Sequence, residues 1–264
     1  MKERLFMATY ATYPSLKDRV VFITGGAEGI GGNMVRLFAA QGAKVGFVDI
    51  NMTAANANIQ ACVDEGCAHK PMAVNCDVRD IDALRSAIDQ VSSHFGNIQV
   101  LVNNAANDDR HQWSDMTPEY WDDRINVNLR HQFFAIQAVV PQMREIGSGS
   151  IINIGSSSWM IKEDFFPGYA IAKSAIQGMT NTLARSFGPD NIRVNTVLPG
   201  WVVTERQIDK WWSEEGEQGT MNDQCLKKRI YPEEFNQMVL FLAADDGGAC
   251  TAQSYLVDGG RGPL

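Results

Sequence analysis

A glycine-rich turn between an apolar run and a helical pattern limits the possible folds of this chain most strongly. Val20–Thr24 (VVFIT) predicts a buried strand, and the helical pattern extends from the turn to about Gln41. In a strand–turn–helix unit, glycines let the backbone approach a pyrophosphate, and the helix N-terminus presents free N–H groups. The alternative is a tight turn without a ligand. The turn predicts a dinucleotide site formed by Gly25, Glu28, Gly29, Ile30 and Gly31.

Apolar runs alternate with helical patterns along the rest of the chain. Such alternation is typical of βαβ units with right-handed crossovers. We expect an α/β fold: a single Rossmann-type, doubly wound parallel sheet of about seven strands, with helices on both faces and a small helical lid. Strands are predicted at 44–49, 72–75, 99–103, 151–154, 192–198 and 254–257, helices at 81–95, 118–143, 168–187 and 232–244, and the lid at about 205–230.

Two acidic residues near the glycine turn indicate which dinucleotide the site prefers. Asp49 ends the second predicted strand, where a carboxylate can hydrogen-bond the adenosine ribose hydroxyls of NAD. Asp49 and Glu28 would both repel the additional 2′-phosphate of NADP, so NAD is the predicted cofactor. Ligands of such sheets bind outside the carboxyl ends of the strands. Three further residues follow predicted strands and join the expected site: Asp77, Val78 and Asn104.

The predicted catalytic groups lie between 150 and 173. An apolar strand there ends at three serines, of which Ser156 is the first, and a helical pattern then begins with Tyr169 and Lys173. Residues four apart lie on the same face of a helix. A phenol is a poor base at neutral pH, but an ammonium group beside it favours the phenolate and lowers its pKa. This pattern predicts acid–base catalysis because a dinucleotide site precedes it in the chain.

Charge and composition argue against several other classes of protein. The formal net charge of −8 disfavours nucleic acid and anionic membranes as partners. No apolar run reaches the ~18–20 residues that span a bilayer. Five scattered cysteines fit reduced thiols better than a disulfide framework, and the spacing of Cys62, Cys67, His69 and Cys76 matches no paired zinc motif. We expect a cytoplasmic protein without a metal, with residues 1–14 as a tail and 15–264 as one NAD-binding catalytic domain.

Together these motifs resemble the single-domain branch of the short-chain dehydrogenase/reductase family. The matching segments occur in the family's order: TGGAEGIG from Thr24, NNAA from Asn103, Ser156, the Tyr169/Lys173 pair, PGWVVT from Pro199 and DGG from Asp258. The family usually has NNAG, so Ala106 is a departure that should narrow the space near the nicotinamide.

The resemblance implies a role for each matching residue. Tyr169 would be the general acid/base, and Lys173 would hold the nicotinamide ribose and depress the pKa of Tyr169. Ser156 would position the substrate hydroxyl, while Asn128 would hold a water that links Lys173 to solvent. The nicotinamide carboxamide would be held by Val202 and Thr204.

A narrower resemblance concerns the substrate. Segments after the fourth strand, around Asn128, after Ser156 and near Thr204 are similar to bacterial aldose 1-dehydrogenases, which oxidise a free pentose or hexose to the lactone. A sugar site needs short polar side chains and an aromatic platform. Besides Ser156 and Tyr169, the candidate sugar contacts are Asn107, Asp108, Trp159, Arg206 and Trp211. The family also implies a homotetramer.

Three functions therefore compete. The first is oxidation of the anomeric hydroxyl of an aldose with NAD. The second is the same chemistry on another secondary alcohol, such as a polyol, a hydroxyacid or a cyclic alcohol. The third is a non-catalytic NAD-binding protein, which would be expected to lack Ser156, Tyr169 or Lys173, and all three are present.

Overall fold

Seven parallel strands form one sheet in the part of the chain that the structure, a computed structural model, describes, which is Tyr10–Gly262. The spatial order of the strands is third, second, first, fourth, fifth, sixth, seventh, and every neighbouring pair is parallel. The strands are β1 (Val20–Thr24), β2 (Lys44–Asp49), β3 (Met72–Asn75), β4 (Val100–Asn103), β5 (Gly149–Ile154), β6 (Ile192–Pro199) and β7 (Ser254–Val257). This confirms the predicted parallel sheet of about seven strands.

Helices cover both faces of the sheet, as predicted. One apolar core joins one face of the sheet to the first, second and ninth helices, and a second core joins the other face to the third, fifth and sixth. The helices are α1 (Gly29–Ala40), α2 (Met52–Asp64), α3 (Ile81–Phe95), α4 (Pro118–Ile125), α5 (His131–Ile146), α6 (Pro167–Phe187), α7 (Glu205–Trp211), α8 (Glu214–Asp223) and α9 (Pro232–Ala243). The doubly wound, Rossmann-type architecture is therefore confirmed.

The single helix predicted at 118–143 is wrong in one respect. The structure has two helices there, α4 and α5, joined by a π-helical turn at Asn126–Arg130. Asn128 lies in this turn, and its side chain hydrogen-bonds the backbone of Asn107 and Arg124. Such turns are frequent at functional sites. The periodicity of apolar residues gives no signal for one additional residue per turn.

Other boundaries also differ from the predictions. Helix α2 is absent from the predicted set; only three of its residues, Ala55, Ile59 and Cys62, are buried. The predicted lid at 205–230 contains two separate short helices, α7 and α8. Between them, Trp212 and Ser213 have extended backbone, and the Ser213 side chain accepts a hydrogen bond from the Gly216 N–H at the start of α8.

Part of the predicted N-terminal tail contacts the body of the protein. Residues 1–9 lie outside the described range, but the N–H of Tyr13 donates to the Gln41 side chain at 2.8 Å. The Gln41 amide in turn donates to the carbonyl of Ala11 at 3.2 Å. The end of the predicted tail is therefore fixed to the C-terminus of α1. Within Tyr10–Gly262, no helix has both the length and the apolar character needed to cross a bilayer.

The cysteine residues are all free thiols. Cys62 and Cys76 are buried, and burial raises the pKa of each thiol to about 11. His69 instead pairs with Asp18 through its Nε2 at 2.6 Å. Across the described residues, His, Cys, Asp and Glu side chains form no group of three or more with the geometry of a metal site.

A buried polar network connects the sheet with α6 directly behind the candidate site. The Asn103 amide donates to Asn153 Oδ1 at 2.9 Å, and the Asn153 amide donates to Thr180 Oγ1 at 2.9 Å. The hydroxyl of Thr180 also hydrogen-bonds that of Thr196 at 2.7 Å. All four residues are fully buried. Because an unpaired buried polar group is costly, the network should fix α6 in one position on the sheet.

We therefore expect Thr180→Val to lower the free energy of unfolding by about 1–3 kcal/mol, since it leaves Asn153 without its acceptor. Thr182→Val is the matched control, because Thr182 is exposed on the same helix and its substitution should change stability by less than about 0.5 kcal/mol. Urea titration followed by circular dichroism measures both. Equal stability of the two variants would contradict a role for the network.

Candidate active site

The predicted site residues lie at the carboxyl edge of the sheet, where β1 and β4 are neighbours although distant in sequence. Strand order reverses there, and ligands of doubly wound sheets bind at such a switch point. Gly25 has a φ of 71°, which favours glycine, and a Cβ on Gly31 would lie 1.8 Å from the carbonyl oxygen of Gly25. Only glycine permits this approach. The backbone N–H groups in the first turn of α1 then remain available, and the turn fits a pyrophosphate.

Asn104 braces this glycine turn from β4. Its amide donates to the carbonyl oxygens of Thr24 at 3.0 Å and Gly25 at 2.8 Å. The hydroxyl of Thr24 accepts from the N–H groups of Asn104 and Ala105 at 2.9 and 3.0 Å. Asn104 was expected to contact the cofactor; in the structure its side-chain amide is used to hold the turn.

Asp49 ends β2, Glu28 precedes α1 in the glycine turn, and Asn51 contacts both carboxylates. Asp49 accepts from the N–H of Ala27 at 2.9 Å and from the N–H of Asn51 at 3.0 Å. The amide of Asn51 donates to Glu28 at 3.1 Å. Two carboxylates beside the glycine turn make the local potential negative.

Asp77 and Val78 follow β3, at the same edge of the sheet. Val78 is buried. The carboxylate of Asp77 is paired with the guanidinium of Arg79 at 2.5 Å, and Arg79 also reaches Asp123 on α4 at 2.7 Å. The hydrogen bond from Arg79 lowers the pKa of Asp77. This ion pair keeps Asp77 negative and orients it; the adenine contact expected of Asp77 stays a prediction.

The segment after β6 brings Val202 and Thr204 to the glycine turn. Val202 is buried and forms a parallel bridge with Ile230. Thr204 caps α7, and its methyl group lies 3.5 Å from the point where Gly29 would carry a Cβ. Ile30, at the start of α1, lines the same pocket as Val202 and Thr204. Thr204 thus lies close to the glycine turn; the nicotinamide contacts expected of Val202 and Thr204 stay predictions.

Lys173 is buried beneath the site. The side chain is 1% exposed, and its Nζ donates to the carbonyl of Ile154, the last residue of β5, at 2.7 Å. Burial lowers the pKa of Lys173 to about 7, opposed by the negative charge of Asp108. His131 is also fully buried nearby, and burial together with the charge of Lys173 lowers its pKa to about 3. His131 is therefore a neutral neighbour.

The effect expected of Lys173 on the pKa of Tyr169 stays a prediction, and burial acts on that pKa in the opposite direction. The pKa of Tyr169 is raised, first by burial and then by the negative charge of Asp108, while Ser156 and Arg110 act in the opposite direction. Lys173 Nζ lies 5.6 Å from the centroid of the tyrosine ring. Burial is the largest cause of this shift, so the phenol is neutral at neutral pH in the chain alone.

Ser156 and Asn128 differ in how their side chains are engaged. The Ser156 hydroxyl donates to the Ser158 hydroxyl at 3.0 Å and lines the same pocket as Tyr169. Asn128 accepts from the N–H of Asn107 at 2.8 Å and donates back to its carbonyl at 3.1 Å. The Asn128 side chain thus fixes the loop after β4. Its predicted part in a water relay stays a prediction.

A pocket of about 160 Å³ opens beside Tyr169. Most of its walls are polar. Three consecutive serines contribute hydroxyls, and charged side chains come from three separate segments of the chain. The lining residues are Ile30, Asp108, Arg110, Ser156, Ser157, Ser158, Ile161, Glu163, Phe166, Tyr169, Pro199, Gly200, Trp201, Val202, Thr204, Gln207 and Arg261.

Of the sugar contacts predicted in addition to Ser156 and Tyr169, Asp108 lines this pocket and four others do not. Asn107 accepts from Arg124 at 3.0 Å. Arg206 forms ion pairs with Asp108 and Asp109. The two tryptophans, Trp159 and Trp211, each have a buried indole N–H without a hydrogen-bond partner among the described residues.

Several pocket residues were missed by sequence reasoning. Trp201 supplies the aromatic wall that was expected of Trp159 and Trp211, and its place inside the PGWVVT motif was an available signal. The guanidinium of Arg110 lies 4.3 Å from the ring centroid of Phe166 and 4.9 Å from that of Trp211. Glu163 and Arg261 carried no recognisable signal, because they are distant in sequence and meet only in the fold.

The lid is attached to the loop after β4 through Asp108. Its carboxylate accepts from Gln207 at 2.7 Å and from Arg206 at 3.3 Å, and Arg110 lies 4.0 Å away. Helix α7, which carries Arg206 and Gln207, is therefore held over the pocket by charged contacts.

Comparisons with known proteins agree with this geometry. A family model described as "Enoyl-(Acyl carrier protein) reductase" matches residues 25–261. A D-xylose 1-dehydrogenase of Caulobacter vibrioides is 47% identical, covering 95% of this chain and 98% of the relative. A Rhizobium meliloti protein named "Probable galactose dehydrogenase" is 44% identical, covering 94% of this chain and 96% of its own.

Comparison with solved structures identifies the same fold. A short-chain dehydrogenase/reductase from Serratia marcescens superposes with a TM-score of 0.86 at 34% sequence identity, over 94% of this chain and 99% of that one. The resemblance seen in the sequence is thus confirmed across the whole fold. The chain belongs to the short-chain dehydrogenase/reductase family and is an oxidoreductase that acts on CH–OH groups.

Proposed function

We propose that this protein oxidises the anomeric hydroxyl of a free aldose, a pentose or a hexose, to the lactone, with NAD as its cofactor. The observation that carries the proposal is the polar pocket beside Tyr169, in which serine hydroxyls, an amide and four charged side chains surround a space of about 160 Å³. A sugar presents a hydroxyl on nearly every carbon. Relatives named for D-xylose and galactose, at 47% and 44% identity, support the same substrate class.

Tyr169 would remove the proton of the reacting hydroxyl, and Ser156 would hold that hydroxyl in place. Because burial raises the pKa of Tyr169, the phenol needs positive charge close by to lose its proton. Lys173 would supply it, together with the cationic ring of the oxidised cofactor. Asn128 would support the route by which the proton leaves, through a water bound at the π-helical turn.

The glycine turn, Asp49 and Glu28 would hold the cofactor at its adenosine end, and Val202 and Thr204 at its nicotinamide end. When bound, NAD supplies the capacity to accept a hydride, which no side chain of the protein has. The two carboxylates favour NAD over NADP, because a 2′-phosphate would lie next to negative charge. Asp49 already accepts two backbone hydrogen bonds at 2.9 and 3.0 Å, which fix its orientation.

We also propose a cytoplasmic homotetramer. Phe133 on α5 and Ile171 on α6 are 44% and 46% exposed, large apolar side chains on helices at the surface. Contact with further copies of the chain would cover them. Free thiols at all five cysteines fit a reducing compartment. Sedimentation at the mass of a monomer would contradict the tetramer.

The direct test is cofactor reduction by purified protein with NAD and a panel of free aldoses: D-xylose, L-arabinose, D-galactose and L-fucose. We expect turnover with one or more of these and little with threitol, steroids or simple secondary alcohols. Tyr169→Phe should bind NAD normally and lose about a hundred- to ten-thousandfold in kcat. Tyr13→Phe, at a half-buried tyrosine far from the pocket, is the control. Negligible rates with every sugar would contradict the proposed aldose oxidation.

The cofactor preference gives a second prediction. Asp49→Asn removes the negative charge but keeps the size of the side chain. The ratio of kcat/KM with NAD to kcat/KM with NADP should therefore fall by about tenfold or more, corresponding to about 1.4 kcal/mol. Asp64→Asn, at an exposed acid on α2, should leave the ratio unchanged. An unaltered ratio in Asp49→Asn would remove the charge argument for NAD.

The pH dependence of kcat/KM gives a third prediction. Oxidation requires unprotonated Tyr169, so kcat/KM rises as pH increases through the pKa of that residue. Asp108 raises the pKa values of both Tyr169 and Lys173. Asp108→Asn should therefore move the whole profile to lower pH by about one pH unit. Asp109→Asn is the control, because Asp109 also pairs with Arg206 but does not contribute to the shift at Tyr169. Identical profiles for the two variants would refute this coupling.

A further inference from the structure

Glu163 is a carboxylate of the pocket for which the mechanism above has no use. The preceding residue, Lys162, has a φ of 62°, in the left-handed region where a residue with a side chain is uncommon. The N–H of Glu163 then donates to the carbonyl of Ser158 at 3.1 Å. This turn directs Glu163 toward the pocket that Tyr169 lines. Backbone strain of this kind is often kept at functional sites.

Arg261 reaches the same pocket from the C-terminal end of the chain. Its guanidinium donates to Glu163 at 3.3 Å, and the two side chains are 17% and 21% exposed. Asp258 holds the loop that carries Arg261, accepting from the N–H groups of Gly260 at 2.8 Å and Gly262 at 2.5 Å. The DGG motif thus fixes the position of a pocket residue.

Both members of this pair have unused hydrogen-bonding capacity. A carboxylate can accept about four hydrogen bonds, yet within residues 10–262 Arg261 is the one donor to Glu163. Burial raises the pKa of Glu163, opposed by Arg261 and Arg110. The Nε of Arg261 is buried and has no hydrogen-bond partner in the described chain. The carboxylate of Asp223 lies 3.6 Å from this Nε. Polar groups removed from water need partners.

We propose that Glu163 and Arg261 determine substrate specificity by binding two neighbouring hydroxyls of the sugar, remote from the carbon that is oxidised; this rests on the proposed aldose dehydrogenase activity. One hydroxyl donates to the carboxylate of Glu163, and its neighbour accepts from the guanidinium of Arg261. A vicinal diol offers this donor and acceptor side by side. A simple alcohol or a deoxy sugar leaves one member of the pair without its partner.

Charge balance in the pocket narrows the substrate class further. Asp108 lies beside Arg110 at 4.0 Å, and Glu163 beside Arg261 at 3.3 Å. Each charge therefore already has an opposite charge next to it. A neutral sugar adds hydrogen bonds without disturbing either pair. The pair therefore suits a neutral, polyhydroxylated substrate.

The test measures D-xylose and each of its monodeoxy derivatives with wild-type protein and Glu163→Gln. In the wild type, removing one of the hydroxyls bound by the pair should lower kcat/KM by about 10–100-fold. In Glu163→Gln the KM for D-xylose should rise by about tenfold or more, with kcat changed much less. The same deoxy derivative should then lose little further activity. Asp164→Asn, at the exposed neighbouring acid, is the control.

Arg261→Lys provides a second route, because it keeps the charge and loses the forked donor geometry. It should raise the KM for D-xylose while the melting temperature stays near that of the wild type. If Glu163→Gln and Arg261→Lys both keep wild-type discrimination between D-xylose and its deoxy derivatives, the pair is only structural and the inference is overturned. Inactivity of the wild type on all free aldoses would instead overturn the proposed function, and this inference with it.

Discussion

The hydrogen bond from the buried Lys173 ammonium to the carbonyl of Ile154 is the contact on which the site depends. It joins the middle of the catalytic face of α6 to the last residue of β5, and so places Tyr169 opposite Ser156. Taking an ammonium out of water is costly, and the cost is visible in the pKa of Lys173, which burial lowers to about 7. Burial thus disfavours the charged form of Lys173, and the negative charge of Asp108 favours it.

Burial also shifts the pKa of Tyr169, in the opposite direction from that of Lys173. Burial and Asp108 raise its pKa, and burial lowers the pKa of Lys173, so burial favours the neutral form of both side chains. In the proposed mechanism, deprotonation of the phenol requires added positive charge, which the oxidised cofactor would carry. Under this account the acid–base machinery becomes effective only when the dinucleotide is in place. Asp108, which contributes to both pKa shifts, is also the residue that Arg206 and Gln207 of α7 contact.

Much of this arrangement can be predicted from the sequence, and the features that cannot be predicted have physical causes. The parallel sheet, the glycine turn and the Tyr169/Lys173 pair follow from short-range patterns: apolar runs, a required glycine geometry and a four-residue spacing. The residues that line the pocket do not follow from such patterns. Glu163 and Arg261 are 98 residues apart in the sequence and meet at 3.3 Å only because β7 returns beside β6. The π-helical turn at Asn128 was missed because one inserted residue scarcely alters the apolar periodicity. The burial that raises the pKa of Tyr169 was missed because burial is a property of the fold.

Product analysis tests the central claim most directly. Purified protein would be incubated with NAD and D-xylose labelled with carbon-13 at the anomeric carbon, and the products followed by carbon NMR. Oxidation of the anomeric hydroxyl predicts that the labelled carbon becomes the carbonyl of a lactone, followed by that of the open-chain acid after hydrolysis. A label that remains at an unoxidised anomeric carbon, while a ketone forms elsewhere on the ring, would contradict the proposed reaction and assign the enzyme to another secondary alcohol.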